Sequence, residues 1–243
     1  MELVIALIIV TIATFIIFQL NSLTKYIRIT FSSNNYLDSH LKYQMMLMAL
    51  ASIVLLLTFI QNSTNFSALL SVGNISAPVE PVTWFGIGHD RSWIFAGLYL
   101  CILITMGTLT FVDLQFRKLK VSFTDLIPYI GWIVLFSLTN SFSEEAIFRL
   151  GIISPALGTT DITYLALISA MIFGLAHFGG MPHGLIGMLM AGFLGWFLAK
   201  SVIETHGMFW AWSIHFIQDI VIYTGFIVSQ ISKVQFKTEE TYG

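Results

Sequence analysis

Long apolar runs alternate with short polar stretches along the whole chain. Leu3 to Leu20 is long enough to span a bilayer as a helix. It follows Glu2 rather than a basic segment and no small-residue cleavage site follows it, so it is expected to be retained as a first helix. Asn21 to Tyr43 carries Lys25, Arg28 and Lys42 and reads as an inner loop by the positive-inside rule. Met45 to Ile60 forms a second run, in which Met45, Met46 and Met48 are read as adaptable packing. Gln61 to Asp90 lacks lysine and arginine and holds Gly73, Pro78, Pro81, Gly86 and Gly88, the signature of a loop on the outer side. A third run, Trp93 to Val112, ends before Arg117, Lys118 and Lys120, again an inner signal.

Thr124 or Asp125 is expected to cap the next helix, with Pro128 in its first turn. Further runs cover Ile127 to Phe142, Ile162 to Phe178, Leu185 to Ile203 and Met208 to Ile231. The last is followed by Lys233 and Lys237, which favour an inner C-terminus, and by the opposing Glu239 and Glu240. The pattern predicts an all-α, polytopic transmembrane helical bundle of roughly seven to eight spans, the higher number applying if the segment after Glu145 crosses separately. Gly184, Gly187, Ala191, Gly192 and Gly195 recur at near-helical spacing and suit close helix contact.

Composition supports this reading and removes several function classes. With 56% hydrophobic and 10% charged residues, there is too little polar surface to coat a soluble globule. The formal net charge of -2 comes without any basic face, so nucleic acid is not an expected partner. The single cysteine, Cys101, lies in an apolar run and offers neither a disulfide framework nor a thiolate metal site.

Against that background the stretch Ser143-Glu144-Glu145-Ala146-Ile147-Phe148-Arg149 is costly. Each charge at the bilayer centre costs about 2.5 to 3.5 kcal/mol on insertion scales, so such groups are read first as functional. On a helix Glu145 and Arg149 stand at i and i+4, acid before base, the favourable order for an ion pair. Glu144 points about 100° away and is left without that partner. A structural salt bridge or a solvated loop is the bland alternative. Other polar interruptions weigh against it: His177 ends an apolar helix, His215 has Asp219 on the same helical face, and Asn140 lies one turn before Glu144. A carboxylate that takes a proton from water, with imidazoles to hold that water and an oxyanion, is what amide hydrolysis needs. The zinc helix H-E-x-x-H, the serine elbow G-x-S-x-G and the aspartate motif G-x-G-D are all missing. Two other classes stay open at this stage. A proton- or ion-coupled transporter would string its polar groups along a path, and a non-catalytic immunity or regulatory membrane protein would not need Glu144.

Glu-Glu-x-x-x-Arg, then Phe-x-x-x-His, then Asp219 closing His-x-x-x-Asp, in that order, resembles the CPBP family of intramembrane proteases. That family includes type II CAAX prenyl endopeptidases and Abi-like bacterial proteins of bacteriocin processing or self-immunity. The resemblance covers Ser143 to Asp219 and implies a single membrane domain over 1–243, with motif-free spans in 1–120 and the catalytic core in 121–231. It implies Glu144 as the catalytic glutamate, Glu145 and Arg149 as its structural support, His177 holding the attacking water, and His215 with Asp219 stabilising the transition state. Phe173 and Asn140 are secondary candidates. Eukaryotic members have asparagine where this chain has Asp219. An ionised carboxylate repels an oxyanion, so Asp219 would have to be protonated or act by orienting His215. A metal-free mechanism is expected, since three of the four groups come from separate helices. The alternative cofactor is zinc, held by Glu144, His177, His215 and Asp219. The expected partners are a membrane-associated peptide or protein substrate and the lipid bilayer, and the expected location is a bacterial cell membrane. One constraint follows: with alternating spans, Glu144 and His177 reach one depth only if the Glu144 helix is long and places Glu144 mid-membrane.

Overall fold

The computed structural model describes residues 1–117, 119, 121–180 and 182–242, with side chains described up to residue 233. Lys118, Lys120 and the side chains of Lys237, Glu239 and Glu240, used above for orientation, lie outside what is described. The helices are α1 (Glu2–Leu23), α2 (Asn35–Gln61), α3 (Ser63–Leu69), α4 (Trp93–Phe116), α5 (Phe123–Leu126), α6 (Ile130–Glu145), α7 (Gly151–Ala156), α8 (Ile162–Ala176), α9 (Leu185–Thr205) and α10 (Phe209–Tyr242). Only isolated bridges interrupt the helical architecture among the described residues. Among the described residues six helical stretches are long and apolar enough to cross a membrane, and α8, with 15 residues, is a shorter apolar helix.

Three boundaries differ from the sequence expectations, each for a local reason. Asn21 to Tyr43 is not a loop throughout, because α2 starts at Asn35. The Asn34 side chain accepts from the backbone N–H groups of Tyr36 and Leu37, and Lys42 pairs with Asp38 at 2.7 Å. Charges that read as a solvated connection are thus the capped first turns of a helix. The cap of α5 is Ser122, in a reciprocal box with Asp125, and Pro128 sits in the turn Ile127–Tyr129 that leads into α6. Among the described residues the segment after Glu145 does not cross separately as an eighth span. α6 continues through a single π-helical turn, Ala146–Leu150, into α7, so Phe123–Ala156 is one span of 34 residues.

That long element settles the depth problem. Glu144 lies about 18 Å along the helix from Ala156, and α8 carries His177 about 22 Å from Ile162, so both arrive at a similar level from the same face. α8 then turns back into α9 as a tightly packed hairpin. A Cβ on Gly174 would lie 2.6 Å from the Met188 carbonyl oxygen and 3.1 Å from Gly192 Cα, which leaves no room for a side chain there. α10 packs on α4 and α6, α2 on α6, and α1 on α7. The connection before α4 is pinned onto the turn between α9 and α10: Asn74 N donates to Thr205 O at 2.7 Å, Met208 N to Ser71 O at 2.9 Å, and the Trp210 indole to Ile75 O at 3.0 Å. Both ends of the α9–α10 turn are thereby fixed, and with them the start of the helix that carries His215.

Candidate active site

The end of α6 offers two adjacent carboxylates to different surroundings. Glu145 is fully buried, with Oε2 3.1 Å from Arg149 Nε, itself fully buried. The contact is ionic rather than an aligned hydrogen bond. The guanidinium lies 4.2 Å above the Phe173 ring and donates to Ser169 Oγ at 3.5 Å, while Ser169 donates to the Phe148 carbonyl at 2.8 Å. The other oxygen, Glu145 Oε1, accepts from His215 Nδ1 at 2.8 Å. Glu145 therefore links the first motif to the third and orients His215, which the sequence reading gave as one of two roles open to Asp219.

Glu144 turns the other way. Its Oε1 accepts from Asn140 Nδ2 at 3.2 Å. Its Oε2 is buried without a hydrogen-bond partner, 3.7 Å from His177 Nε2 and 3.7 Å from His215 Nε2. His177 caps the C-terminus of α8, and its Nδ1 lies 2.9 Å from the Phe173 carbonyl. A carbonyl can only accept, so Nδ1 carries a proton and Nε2 is the ring nitrogen turned towards Glu144. The same logic makes His215 Nδ1 the donor to Glu145. Asp219, one turn along α10, has Oδ1 3.8 Å from His215 Nε2 and accepts from Asn140 Nδ2 through Oδ2 at 3.1 Å. Phe173 holds the imidazoles in place, with its ring centroid 4.4 Å from that of His177 and 5.8 Å from that of His215. Gly195 makes room for it, since a Cβ there would approach Phe173 Cδ1 to 2.9 Å.

All eight residues singled out by sequence, Asn140, Glu144, Glu145, Arg149, Phe173, His177, His215 and Asp219, thus meet in one cluster. The sequence reading missed its second layer. Gln44 on α2 donates to Asn140 Oδ1 at 3.3 Å and to the Tyr223 hydroxyl at 2.9 Å, and it approaches His40 Nε2 at 3.3 Å. The available signal was a glutamine next to an apolar run, with a histidine four residues before it. Among the described residues no set of three His, Cys, Asp or Glu side chains is arranged as metal ligands.

Residues 126–221 match the family model described as Type II CAAX prenyl endopeptidase Rce1-like. No curated protein and no solved structure matches the chain. The match takes in less than half of the chain but contains all eight clustered residues, so the segment that builds the cluster is similar to the Rce1-like, type II CAAX prenyl endopeptidase family.

Proposed function

We propose that the protein is an intramembrane endopeptidase that hydrolyses a peptide bond of a membrane-associated protein or peptide, with Glu144 as general base. The observation that carries this reading is the buried, unpartnered Glu144 Oε2 facing two imidazole nitrogens at 3.7 Å each. Polar groups at that separation in a dry interior are set to share a water molecule. Glu144 Oε2 and His177 Nε2 both accept, so they take the two protons of that water and leave its lone pairs free to attack the scissile carbonyl carbon. Glu144 removes one proton as the carbon–oxygen bond forms. His215, carrying protons on both nitrogens, keeps one on Glu145 and donates the other to the oxyanion. Glu144 then returns its proton to the departing amine as the carbon–nitrogen bond breaks. Asn140 satisfies Asp219 Oδ2, while Asp219 Oδ1 stays 3.8 Å from His215 Nε2.

The reaction so written needs no metal. Zinc is the alternative; no three of the same four side chains are arranged as its ligands, and its chemistry, if bound, would be to lower the energy of deprotonating the water. Elemental analysis of purified protein, with turnover measured after chelation, separates the two: stoichiometric zinc and loss of turnover on its removal would reject the metal-free form. The clustering of the titratable groups, rather than a line of them across the membrane, favours the peptidase over a transporter. The substrate is found by comparing the peptides of host membranes that contain active protein or the Glu144→Gln variant. Cleavage products confined to the active protein are expected, and identical peptide sets would reject the proposal.

A further inference from the structure

α2 lies outside the matched residues 126–221 and carries none of the three motifs, yet it enters the polar cluster. Gln44 is 2% exposed. Its Oε1 lies 3.0 Å from Thr139 Oγ1, a hydroxyl that also reaches the Leu135 carbonyl at 2.9 Å, and its Nε2 donates to the Tyr223 hydroxyl at 2.9 Å. The same Nε2 donates to Asn140 Oδ1 at 3.3 Å.

The consequence falls on Asn140. A side-chain amide presents donors on one end and an acceptor on the other, and the two ends are nearly equal in shape. Here the acceptor end faces Gln44, so the two N–H groups face Glu144 Oε1 at 3.2 Å and Asp219 Oδ2 at 3.1 Å. Turned over, the amide would set a carbonyl against two carboxylates. The carboxylates would then repel each other without a donor between them, and Glu144 would have both oxygens free to rotate. At this depth an unmet acceptor on Asn140 also carries a desolvation penalty, which a single glutamine removes.

We infer that Gln44 is a positioning residue of the site: by fixing the Asn140 amide it ties down one oxygen of Glu144 and leaves the other open to His177 and His215. The inference rests on the general-base reading of Glu144 and places part of the machinery in a helix beyond the motif-bearing segment. Gln44 acts through Asn140 and does not itself touch the reacting atoms.

The test uses the full chain in lipid vesicles and an internally quenched peptide that carries the cleavage site found by the membrane peptide comparison. Gln44→Met keeps the length and removes the donor, and Gln44→Glu keeps the shape and replaces the donor with an acceptor. In both, kcat per folded molecule should fall roughly tenfold to a hundredfold, as for other residues that orient a reacting group, with KM unchanged and any drop in melting temperature too small to account for the loss. The infrared carboxylate bands assigned by Glu144→Gln and Asp219→Asn should shift in the two Gln44 variants. Adding Asn140→Leu to Gln44→Met should cost little more than either change alone, the mark of two residues acting as one unit. Wild-type kcat in both Gln44 variants, alongside an inactive Glu144→Gln, would overturn the inference and leave the base assignment standing. Activity losses that track falling melting temperatures in both would make Gln44 a packing residue and overturn it too. Turnover by Glu144→Gln would remove the base assignment instead. The infrared bands would then judge Gln44 separately, shifted bands supporting the positioning and unshifted bands overturning it.

Discussion

Two ion pairs with the same four-residue spacing sit in different parts of the polar interior. Glu145 and Arg149 straddle the π turn after α6, both fully buried. Lys200 and Glu204 lie near the end of α9, and there the lysine also reaches Glu80 at 3.2 Å, whose side chain is 73% exposed. Glu204 further accepts from the Trp93 indole at 2.8 Å and from the Glu80 backbone at 3.1 Å. The α9 pair is therefore a clamp, fastening the connection before α4 to the helix end, with water close by and several donors sharing the load. The α6 pair has no such relief. Its remaining partners are Ser169, the Phe173 ring and His215, so its charge is coupled directly to an imidazole that faces Glu144. Spacing along a helix makes both pairs, and what their other atoms reach decides whether a pair ties down a loop or supports chemistry.

Breaking the buried pair should have the largest effect. Arg149→Met leaves the buried Glu145 with His215 alone to answer its charge, a loss of about 3 to 5 kcal/mol that thermal unfolding in detergent would register, with turnover lost as well. Phe173→Leu should come next, at about 2 kcal/mol from the lost cation–π contact and the space left by the ring, with slower turnover because both imidazoles lose a packing partner. Lys200→Met should cost about 2 kcal/mol and leave turnover per folded molecule unchanged, since Glu204 keeps two N–H donors. A fall in turnover as deep as that of Arg149→Met would erase the distinction between clamp and support. Trp93→Phe, which removes one of those donors, should be the mildest, at about 1 kcal/mol with normal turnover.

Much of this was legible in the chain itself. Apolar runs announce their helices, and charges that cost several kcal/mol at membrane depth draw attention to Glu144, Glu145 and Arg149 without any structure. The spacing to Arg149 gave that arginine to Glu145 and not to Glu144, which is how the structure pairs them. Other features were hidden for physical reasons. Asp38 and Lys42 look like loop charges because a helical pair and a solvated pair are written with the same letters. The π turn at Ala146–Leu150 leaves no mark in composition, so the continuity of α6 into α7 could not be read. Gln44, His40 and Tyr223 are uncharged or weakly charged groups, cheap to bury once hydrogen-bonded, and they meet Asn140 only through contacts between residues far apart in sequence. The link from Glu145 to His215 spans two helices and is likewise a product of packing.

The central claim is that one free oxygen of Glu144 deprotonates water between two imidazoles. The most direct measurement is the single-turnover rate of purified Glu144→Gln in lipid vesicles, beside Lys200→Met and the unaltered protein, on the peptide that the unaltered protein cleaves. The account predicts a rate lower by about a hundredfold to ten thousandfold for Glu144→Gln, with peptide binding and melting temperature retained, and an undiminished rate for Lys200→Met. A Glu144→Gln protein that folds, binds the peptide and cleaves it at the original rate would contradict it.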